Sequence, residues 1–182
     1  MGVPDDALLA AAGDLRRAYQ EVDWAATPVG PAALWSPALR SALDLALNTR
    51  FPVTLFWGPE FVLVYNEAFV ELIGDKHPAA LGRPARVVFP EAWDTIGPMM
   101  HAVLAGNGAT WVEDERVPLW RSGRLEECWF TFSYSPVRGE DGVIEGVLDI
   151  ATETTRQVLA LRRLELLGRS AMSWGRSRTR RT

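Results

Sequence analysis

The sequence is poor in the residues that hold small proteins together by covalent or metal-mediated links. Its 182 residues include a single cysteine, Cys128, and two histidines, His77 and His101. A lone cysteine forms neither an intrachain disulfide nor a structural zinc site. The fold must therefore rest on a hydrophobic core, for which a chain of this length with 48% hydrophobic residues is sufficient.

The sequence also lacks a long apolar run and a basic N-terminal region. No stretch approaches the roughly 20 apolar residues that a membrane-spanning helix needs. Asp5 and Asp6 lie where a secretory signal carries basic residues. We therefore expect a cytoplasmic location and no membrane partner.

Positive charge is scarce outside the C-terminal end. The net charge is −4 even though residues 176–182 contain four arginines, so the rest of the chain is more acidic than the total suggests. An acidic body disfavours nucleic-acid binding by the folded domain. We expect no nucleic-acid partner, and we interpret the arginine-rich end as a solvated segment.

The first 50 residues have helical spacing in two places. Residues 1–22 predict an N-terminal helix that Asp5 or Asp6 caps, with a loose apolar stripe. Residues 23–50 predict a connector, broken by proline and glycine, that leads into a second short helix.

From Phe51 onward the pattern changes to short strands. Two runs rich in β-branched and aromatic residues, 52–57 and 61–65, predict a pair of strands. Helices follow, the last of them at 91–107, and residues 109–119 predict a third strand. These elements are the first part of a core domain that we assign to residues 51–152.

The segment 126–150 predicts a β-hairpin. Aromatic residues alternate with small ones in its first arm, and we expect Pro136 to end this arm because proline cannot donate to a strand ladder. Asp141-Gly142 predicts the turn. The predicted fold class is therefore α+β, a five-stranded antiparallel sheet covered on one face by short helices.

The hairpin leads directly into a predicted helix at residues 153–169. A helix that projects from a small domain usually pairs with a copy of itself, so we expect a homodimer. We also expect the helix at 5–22 and the outer sheet face with Trp129 and Thr131 to form part of the dimer interface. Residues 170–182 lack periodicity and are expected to be disordered.

This order of elements resembles the PAS domain. Three local motifs carry the resemblance: Trp57-Gly58-Pro59-Glu60 before Tyr65-Asn66, Phe130 to Pro136 with Asp141-Gly142, and Asp149-Ile150-Ala151. The last is similar to the Asp-Ile-Thr signature that joins sheet and signalling helix in many PAS domains. Lys76-His77-Pro78 and Glu153-Thr154-Thr155 narrow the resemblance to the N-terminal PAS module of bacterial sensor histidine kinases and related phosphatases.

The resemblance implies a pocket between the sheet and the helices that binds a small molecule. The alternative is plain core packing, because aromatic strand residues are usually core. Asn66 is also explained by helix capping alone. The expected pocket residues are Phe56, Tyr65, Asn66, Phe69, Ile73, Met100, Val103, Trp111, Phe130, Phe132 and Tyr134.

The cofactor is unknown from the sequence, and we expect none. His101 lies on the helix that carries the haem-binding histidine of some PAS sensors, so haem is one alternative. Flavin is the other, although the Asn-Cys-Arg motif of flavin photoreceptors is absent and Cys128 suits a small packed residue. No metal-binding pattern is present.

We interpret the chain as a non-enzymatic sensor or interaction module of bacterial signal transduction, with a kinase or phosphatase module as its downstream partner. A shift of the last hairpin would move the helix at 153–169. One alternative is a small cone-shaped isomerase with a buried aspartate base, although no aspartate falls clearly among the expected pocket positions. The other is a ligand-free dimerisation adaptor with a filled core.

Overall fold

The structure is a computed structural model that describes residues 2–178, with side chains up to residue 168. Within these residues an antiparallel sheet contains β1 (Val53–Trp57), β2 (Val62–Tyr65), β3 (Val112–Arg116), β6 (Trp129–Arg138) and β7 (Ile144–Glu153). A separate hairpin contains β4 (Leu119–Arg121) and β5 (Arg124–Glu126). The α-helices are α1 (Leu15–Glu21), α2 (Pro37–Leu47), α3 (Glu67–Ile73), α4 (Ala85–Val88), α5 (Trp93–Leu104) and α6 (Thr155–Arg178).

The strand order of the sheet is β2-β1-β7-β6-β3, with every neighbouring pair antiparallel. The last strand therefore lies in the middle of the sheet, between the first strand and its own hairpin partner. The predicted α+β class with a five-stranded antiparallel sheet is confirmed. Strand β7 is thus central in the sheet, and α6 begins two residues after it ends.

The hairpin of β6 and β7 is longer than predicted, because Pro136 does not end its first arm. Pro136 pairs with Val147, and the strand continues to Arg138. Tyr134 directs its N–H and C=O toward Thr110, on the β3 side. Because strand residues two positions apart point to the same side, the nitrogen of Pro136 also faces the β3 side. It lies beyond the start of β3, so no strand there needs an N–H donor from residue 136.

The predicted third strand at 109–119 is divided. Asp114 has a φ of 51°, and the register between β3 and β6 shifts between Val112 and Glu115, which is a β-bulge. The chain then forms the small β4–β5 hairpin. Ser122 and Gly123 both have positive φ, as a tight two-residue hairpin turn requires.

The N-terminal segment packs on the body of the protein. Gly13, with a φ of 56°, divides the predicted helix into a 3-10 turn at Leu8–Ala11 and α1. The hydroxyl of Tyr19 donates to the carbonyl of Tyr65 at 2.9 Å and accepts from its N–H at 3.0 Å. The apolar side of this segment is therefore buried in its own chain, so it is not the exposed dimer surface that we expected.

Helix α6 is longer than the predicted 153–169. It begins at Thr155 and continues to Arg178, and the residues from 170 onward lack proline and contain good helix formers such as alanine, methionine and arginine. The structure thus describes residues 170–178 as helix, where the sequence analysis expected disorder. For residues 179–182 that expectation falls outside the described residues.

The helices in the described part of the chain include none that is both long enough and apolar enough to span a bilayer.

Candidate functional site

A cavity of about 60 Å³ lies between the inner face of the sheet and helices α3 and α5. Its walls come from three neighbouring strands, from α3, and from the segment that joins β3 to β4. The lining residues are Phe56, Phe69, Leu72, Ile73, Phe89, Ile96, Val117, Leu119, Phe130, Phe132, Tyr134, Asp149 and Ala151. Only Tyr134 and Asp149 among them carry a polar group, so the cavity is an apolar space with a polar spot on one wall.

Six of the residues expected to line a pocket meet at this cavity. Alternate residues of β6 face inward, which brings Phe130, Phe132 and Tyr134 together, as the period of two predicts. Phe56 contributes from β1, where its ring meets that of Tyr134 edge-on with centroids 6.0 Å apart. The other two lie on α3 and are Phe69 and Ile73.

Three further expected residues lie elsewhere. Met100 and Val103 are buried on α5 but do not line the cavity. Trp111 is 70% exposed and lies just before β3, so it belongs to the surface. Expecting these residues in the cavity wall was wrong, because burial on α5 does not mark the cavity and β3 starts later than predicted.

Tyr65 and Asn66 have structural roles outside the cavity. The hydroxyl of Tyr65 hydrogen-bonds with Nδ1 of His77 at 3.0 Å. The amide oxygen of Asn66 caps α3 by accepting from the N–H of Phe69 at 3.1 Å, and it also accepts from the N–H of Val53. The amide nitrogen of Asn66 donates to three backbone carbonyls before β1. Asn66 therefore joins the corner between β2 and α3 to the entry of β1.

His101 does not lie in a haem-binding position. It is exposed on the outer side of α5, and its Nδ1 lies 2.8 Å from the carbonyl oxygen of Gly97. Its ring contacts Phe61 and Trp93, with centroids 4.8 Å and 5.9 Å away. Because it does not line the cavity, the haem alternative is not supported. Within the described residues, no group of three or more His, Cys, Asp or Glu could hold a metal ion.

The size of the cavity gives no support to a flavin. Pockets for drug-sized ligands have volumes of about 300–1,000 Å³, and a dry cavity of about 150 Å³ holds one benzene. The space here is about 60 Å³.

Cys128 does not line the cavity. It is buried nearby, where burial raises the pKa of its thiol and Sγ lies 3.3 Å from Nη2 of Arg121.

Asp149 is the ionisable cavity residue that the sequence analysis missed, together with the apolar lining residues Leu72, Phe89, Ile96, Val117, Leu119 and Ala151. Asp149 lies in the middle of β7, opposite Tyr134 on β6 and Thr54 on β1. The resemblance to an Asp-Ile-Thr signature suggested that it lies at the junction with the helix, which is wrong. The inward orientation of Asp149 could have been predicted from the pairing of the two strands. Asp149 pairs with the inward-facing Tyr134, and it lies on the same face of β7 as the buried Val147 and Ala151.

The carboxyl group of Asp149 is buried without compensation. The residue is 5% exposed, and Oδ1 has no hydrogen-bond partner in the described part of the chain. Burial raises the pKa of Asp149 well above its ordinary value. The pKa of the neighbouring Tyr134 is also raised, first by burial and then by Asp149. Both groups therefore prefer their neutral, protonated forms.

A second polar cluster holds the junction between β7 and α6. Arg121 on β4 donates from Nη2 to Oε1 of Glu153 at 2.8 Å and from Nη1 to Oε2 at 3.0 Å. Burial opposes ionisation of Glu153, but hydrogen bonds from Arg121 and Thr155 outweigh it and lower its pKa. Arg121 also donates to the carbonyl of Leu72 and to Glu126, both at 2.7 Å.

The first turn of α6 is fixed by the same cluster. The hydroxyl of Thr155 donates to Oε1 of Glu153 at 2.7 Å and accepts from the N–H of Trp129 at 3.0 Å. The N–H of Thr154 donates to the carbonyl of Trp129 at 2.7 Å. Two turns later, Arg162 stacks over the ring of Trp129 at 4.7 Å. Trp129 is therefore buried beneath α6, and the expected exposed face around it is reduced.

The sequence matches the PAS fold family over residues 38–159, which is most of the chain. The chain therefore belongs to the PAS fold family. This family consists of sensory and signalling modules, which confirms the coarse functional interpretation. No curated protein matches the chain.

Several solved structures share the fold. An RNA-binding light-oxygen-voltage receptor is 24% identical, with a TM-score of 0.52, covering 81% of this chain and 40% of that chain. The PAS domain of a Colwellia psychrerythraea protein is 16% identical, with a TM-score of 0.50, covering 65% and 98%. A Rhodobacter sphaeroides LOV protein is 18% identical, with a TM-score of 0.51, covering 65% and 68%. At these identities the likeness shows the fold alone, and this chain spans less than half of the first receptor.

Proposed function

We propose that the protein is a PAS sensor module that binds a small molecule in its cavity and transmits occupancy to α6. The observation that carries this proposal is a chain of direct contacts from the cavity wall through Arg121 to the first turn of α6. We also propose a cytoplasmic location and no catalytic activity of its own.

The first step of the relay is the wall formed by Leu72 and Leu119. Both side chains line the cavity, and both are tied to Arg121. Leu119 is two residues before Arg121 on β4, and the carbonyl of Leu72 accepts from Nη1 of Arg121. A ligand that displaces this wall therefore changes the position of the guanidinium group.

The second step is the bidentate contact of Arg121 with Glu153. Paired guanidinium and carboxylate groups have a fixed mutual geometry, so a displacement of one is passed to the other. Glu153 in turn holds Thr155, the first residue of α6. The ligand shifts this equilibrium only if it binds one arrangement of the cluster more tightly than the other.

The receiving surface is the exposed apolar side of α6. Leu161, Leu164 and Leu167 follow one another at three-residue spacing, which places them on one side of the helix, and each is more than half exposed. Since the N-terminal segment and Trp129 are buried in their own chain, we propose that a homodimer forms through α6. A kinase or phosphatase module on the same or another chain would then respond to the geometry of the helix pair.

Hydrogen exchange on the full chain tests the relay. In Arg121→Met, Glu153 loses its charged partner and keeps only the hydrogen bond from Thr155, so amide exchange at residues 155–162 should rise about tenfold or more because the first turn is held less firmly. Arg124→Met is the matched control, since Arg124 is largely exposed and contacts only Glu126 among the described groups. Equal exchange in both variants would remove the relay.

Light scattering after size-exclusion chromatography tests the dimer. The full chain should elute as a dimer, and Leu164→Glu should convert it to a monomer because a charge opposes burial of the helix face. Leu125→Glu, which alters an exposed leucine of β5, should leave the dimer intact. A monomeric full chain at high micromolar concentration would exclude this assembly.

A second candidate function, proton-transfer catalysis, is favoured by Asp149. A buried carboxyl group with a raised pKa is the feature expected of an acid or base in an isomerase-like cone, and the sequence analysis found no such aspartate. The test is deuterium exchange at the carbon next to the carbonyl of acetone, followed by NMR in D2O. Catalysed exchange that Asp149→Asn abolishes would establish this function, and exchange at the rate of buffer would exclude it for this substrate.

The adaptor alternative is not favoured. It required a filled core, whereas a cavity remains beside the sheet.

A further inference from the structure

Asp149 differs from every other acidic group in the described part of the chain. It is buried in an apolar cavity, and one of its carboxyl oxygens, Oδ1, has no hydrogen-bond partner there. Leaving a buried polar atom unpaired is costly, so native proteins rarely keep one without a functional reason. Plain packing would place an apolar residue here, as it does at Val147 and Ala151 on the same face.

The surroundings of Asp149 determine which protonation state of its carboxyl group is favoured. Tyr134 is the one other titratable residue among the cavity-lining residues, and no basic side chain lines the space. Because no lining residue supplies a positive charge to stabilise a carboxylate, burial raises the pKa of Asp149 and favours its protonated form. A protonated carboxyl group presents one O–H donor and one carbonyl acceptor side by side.

We propose that the cavity selects a small uncharged molecule with an N–H donor beside an acceptor atom, such as a primary amide, a lactam or an azole, and that Asp149 is the residue that recognises it. This inference rests on the proposed sensor function and names the ligand class of that site. The N–H group donates to the carbonyl oxygen of Asp149, and the ligand acceptor receives the carboxyl O–H. The remaining surface of the ligand meets leucine, isoleucine and phenylalanine side chains.

The size of the cavity limits the ligand further. A volume of about 60 Å³ is below that of the apolar cavity that holds benzene. The ligand therefore has only a few non-hydrogen atoms, or larger ones enter as the leucine wall moves. Acetamide and pyrazole are chosen as probes because each is small, neutral and places a donor next to an acceptor, and pyrazole, the larger of the two, needs the wall to move. Acetamidinium has the same shape as acetamide but carries a positive charge, which makes it a matched control.

The experiment is an NMR titration of the full chain with pyrazole, acetamide and acetamidinium, read at the methyl groups of Ala151 and Ile73. We expect saturable shifts with the neutral probes and binding at least about tenfold weaker for acetamidinium, since the apolar walls offer its charge no compensation. Asp149→Leu should weaken pyrazole binding about tenfold or more, because it removes both hydrogen bonds.

Two further variants separate recognition from structural effects. Asp149→Asn retains a donor and an acceptor in one planar group, so it should keep pyrazole affinity within about threefold. Tyr65→Phe removes a tyrosine hydroxyl outside the cavity, where it bonds with His77, and should also keep affinity within about threefold. Dispersed amide spectra of each variant show that the fold is intact.

Three results would overturn the inference. Undiminished pyrazole binding in Asp149→Leu would show that only the apolar walls matter. Tighter binding of acetamidinium that Asp149→Asn abolishes would show an ion-pair site. Absence of any probe binding at Ala151 would overturn it as well, and the proposed relay would still be judged separately by the exchange of α6 in Arg121→Met, which needs no ligand.

Discussion

Two acidic residues of β7, only four positions apart, face the same side of the sheet, but their pKa values are shifted in opposite directions. Glu153 receives a bidentate contact from Arg121 and a hydrogen bond from Thr155, and its pKa is lowered. Asp149 lies among apolar groups, Oδ1 is unpaired, and its pKa is raised. The difference teaches that surroundings alone can make one acid of a strand favour its neutral form and another its ionised form. In the function proposed above, the first would recognise the ligand and the second would transmit its binding to α6.

Arg121→Met should have the largest effect on stability. It leaves Glu153 and the carbonyl of Leu72 without their donor, and breaking a buried ion pair from one side costs about 3 kcal/mol or more. Since this pair is only partly buried, we expect a loss of about 2–3 kcal/mol in urea denaturation. Arg124→Met should change the free energy of unfolding by less than about 0.5 kcal/mol, and equal losses would contradict the central role of Arg121.

Asp149→Leu should have an intermediate effect of opposite sign. Replacing an unpaired buried carboxyl group with an apolar side chain of similar size removes a penalty of about 1–3 kcal/mol, so the variant should be more stable at pH 8. Urea denaturation measures the difference. A variant less stable than the wild type would mean that Asp149 has a compensating partner in solution.

The pH dependence of stability should reveal the same group. Because the folded pKa of Asp149 is raised, its contribution is fully present below the ordinary value near 3.8 and is lost as the pH rises through the folded pKa. The wild type should therefore lose stability relative to Asp149→Asn as the pH increases from 4 to 9. Parallel profiles for the two proteins would exclude a raised pKa.

Glu153→Gln should have the smallest effect of the series. Glutamine keeps one acceptor for Arg121 but loses the charge, and charge-assisted hydrogen bonds are worth about 1 kcal/mol more than neutral ones. We expect a loss of about 1 kcal/mol at pH 7 that disappears in acid, where Glu153 is protonated. A loss that persists at low pH would point to altered packing.

Much of the fold follows from local rules. The period of two in β6 correctly predicted that Phe130, Phe132 and Tyr134 face one side, and the helix cap at Asn66 followed from its residue type. The bulge at Asp114 did not follow, because a positive φ at a non-glycine residue leaves no mark in the hydrophobic pattern. Trp111 was misplaced for this reason.

The cavity itself was harder to predict than the core around it. Periodicity identifies Met100 and Val103 as buried but does not indicate where packing leaves a space, since that depends on how several elements meet. Asp149 was missed because a charged residue in a strand is normally assigned to the solvent side. Pairing β7 with β6 in register would have placed it inside, opposite Tyr134.

The coupling of the cavity to α6 is tested most directly by filling the cavity without any ligand. Ala151→Leu adds bulk to the wall of the cavity on β7, and amide exchange at residues 155–162 should change about tenfold relative to the wild type. The same substitution in an Arg121→Met background should produce no further change, because the link is already broken. If exchange in α6 is unaffected by Ala151→Leu, or changes equally in both backgrounds, the cavity does not communicate with the helix through Arg121.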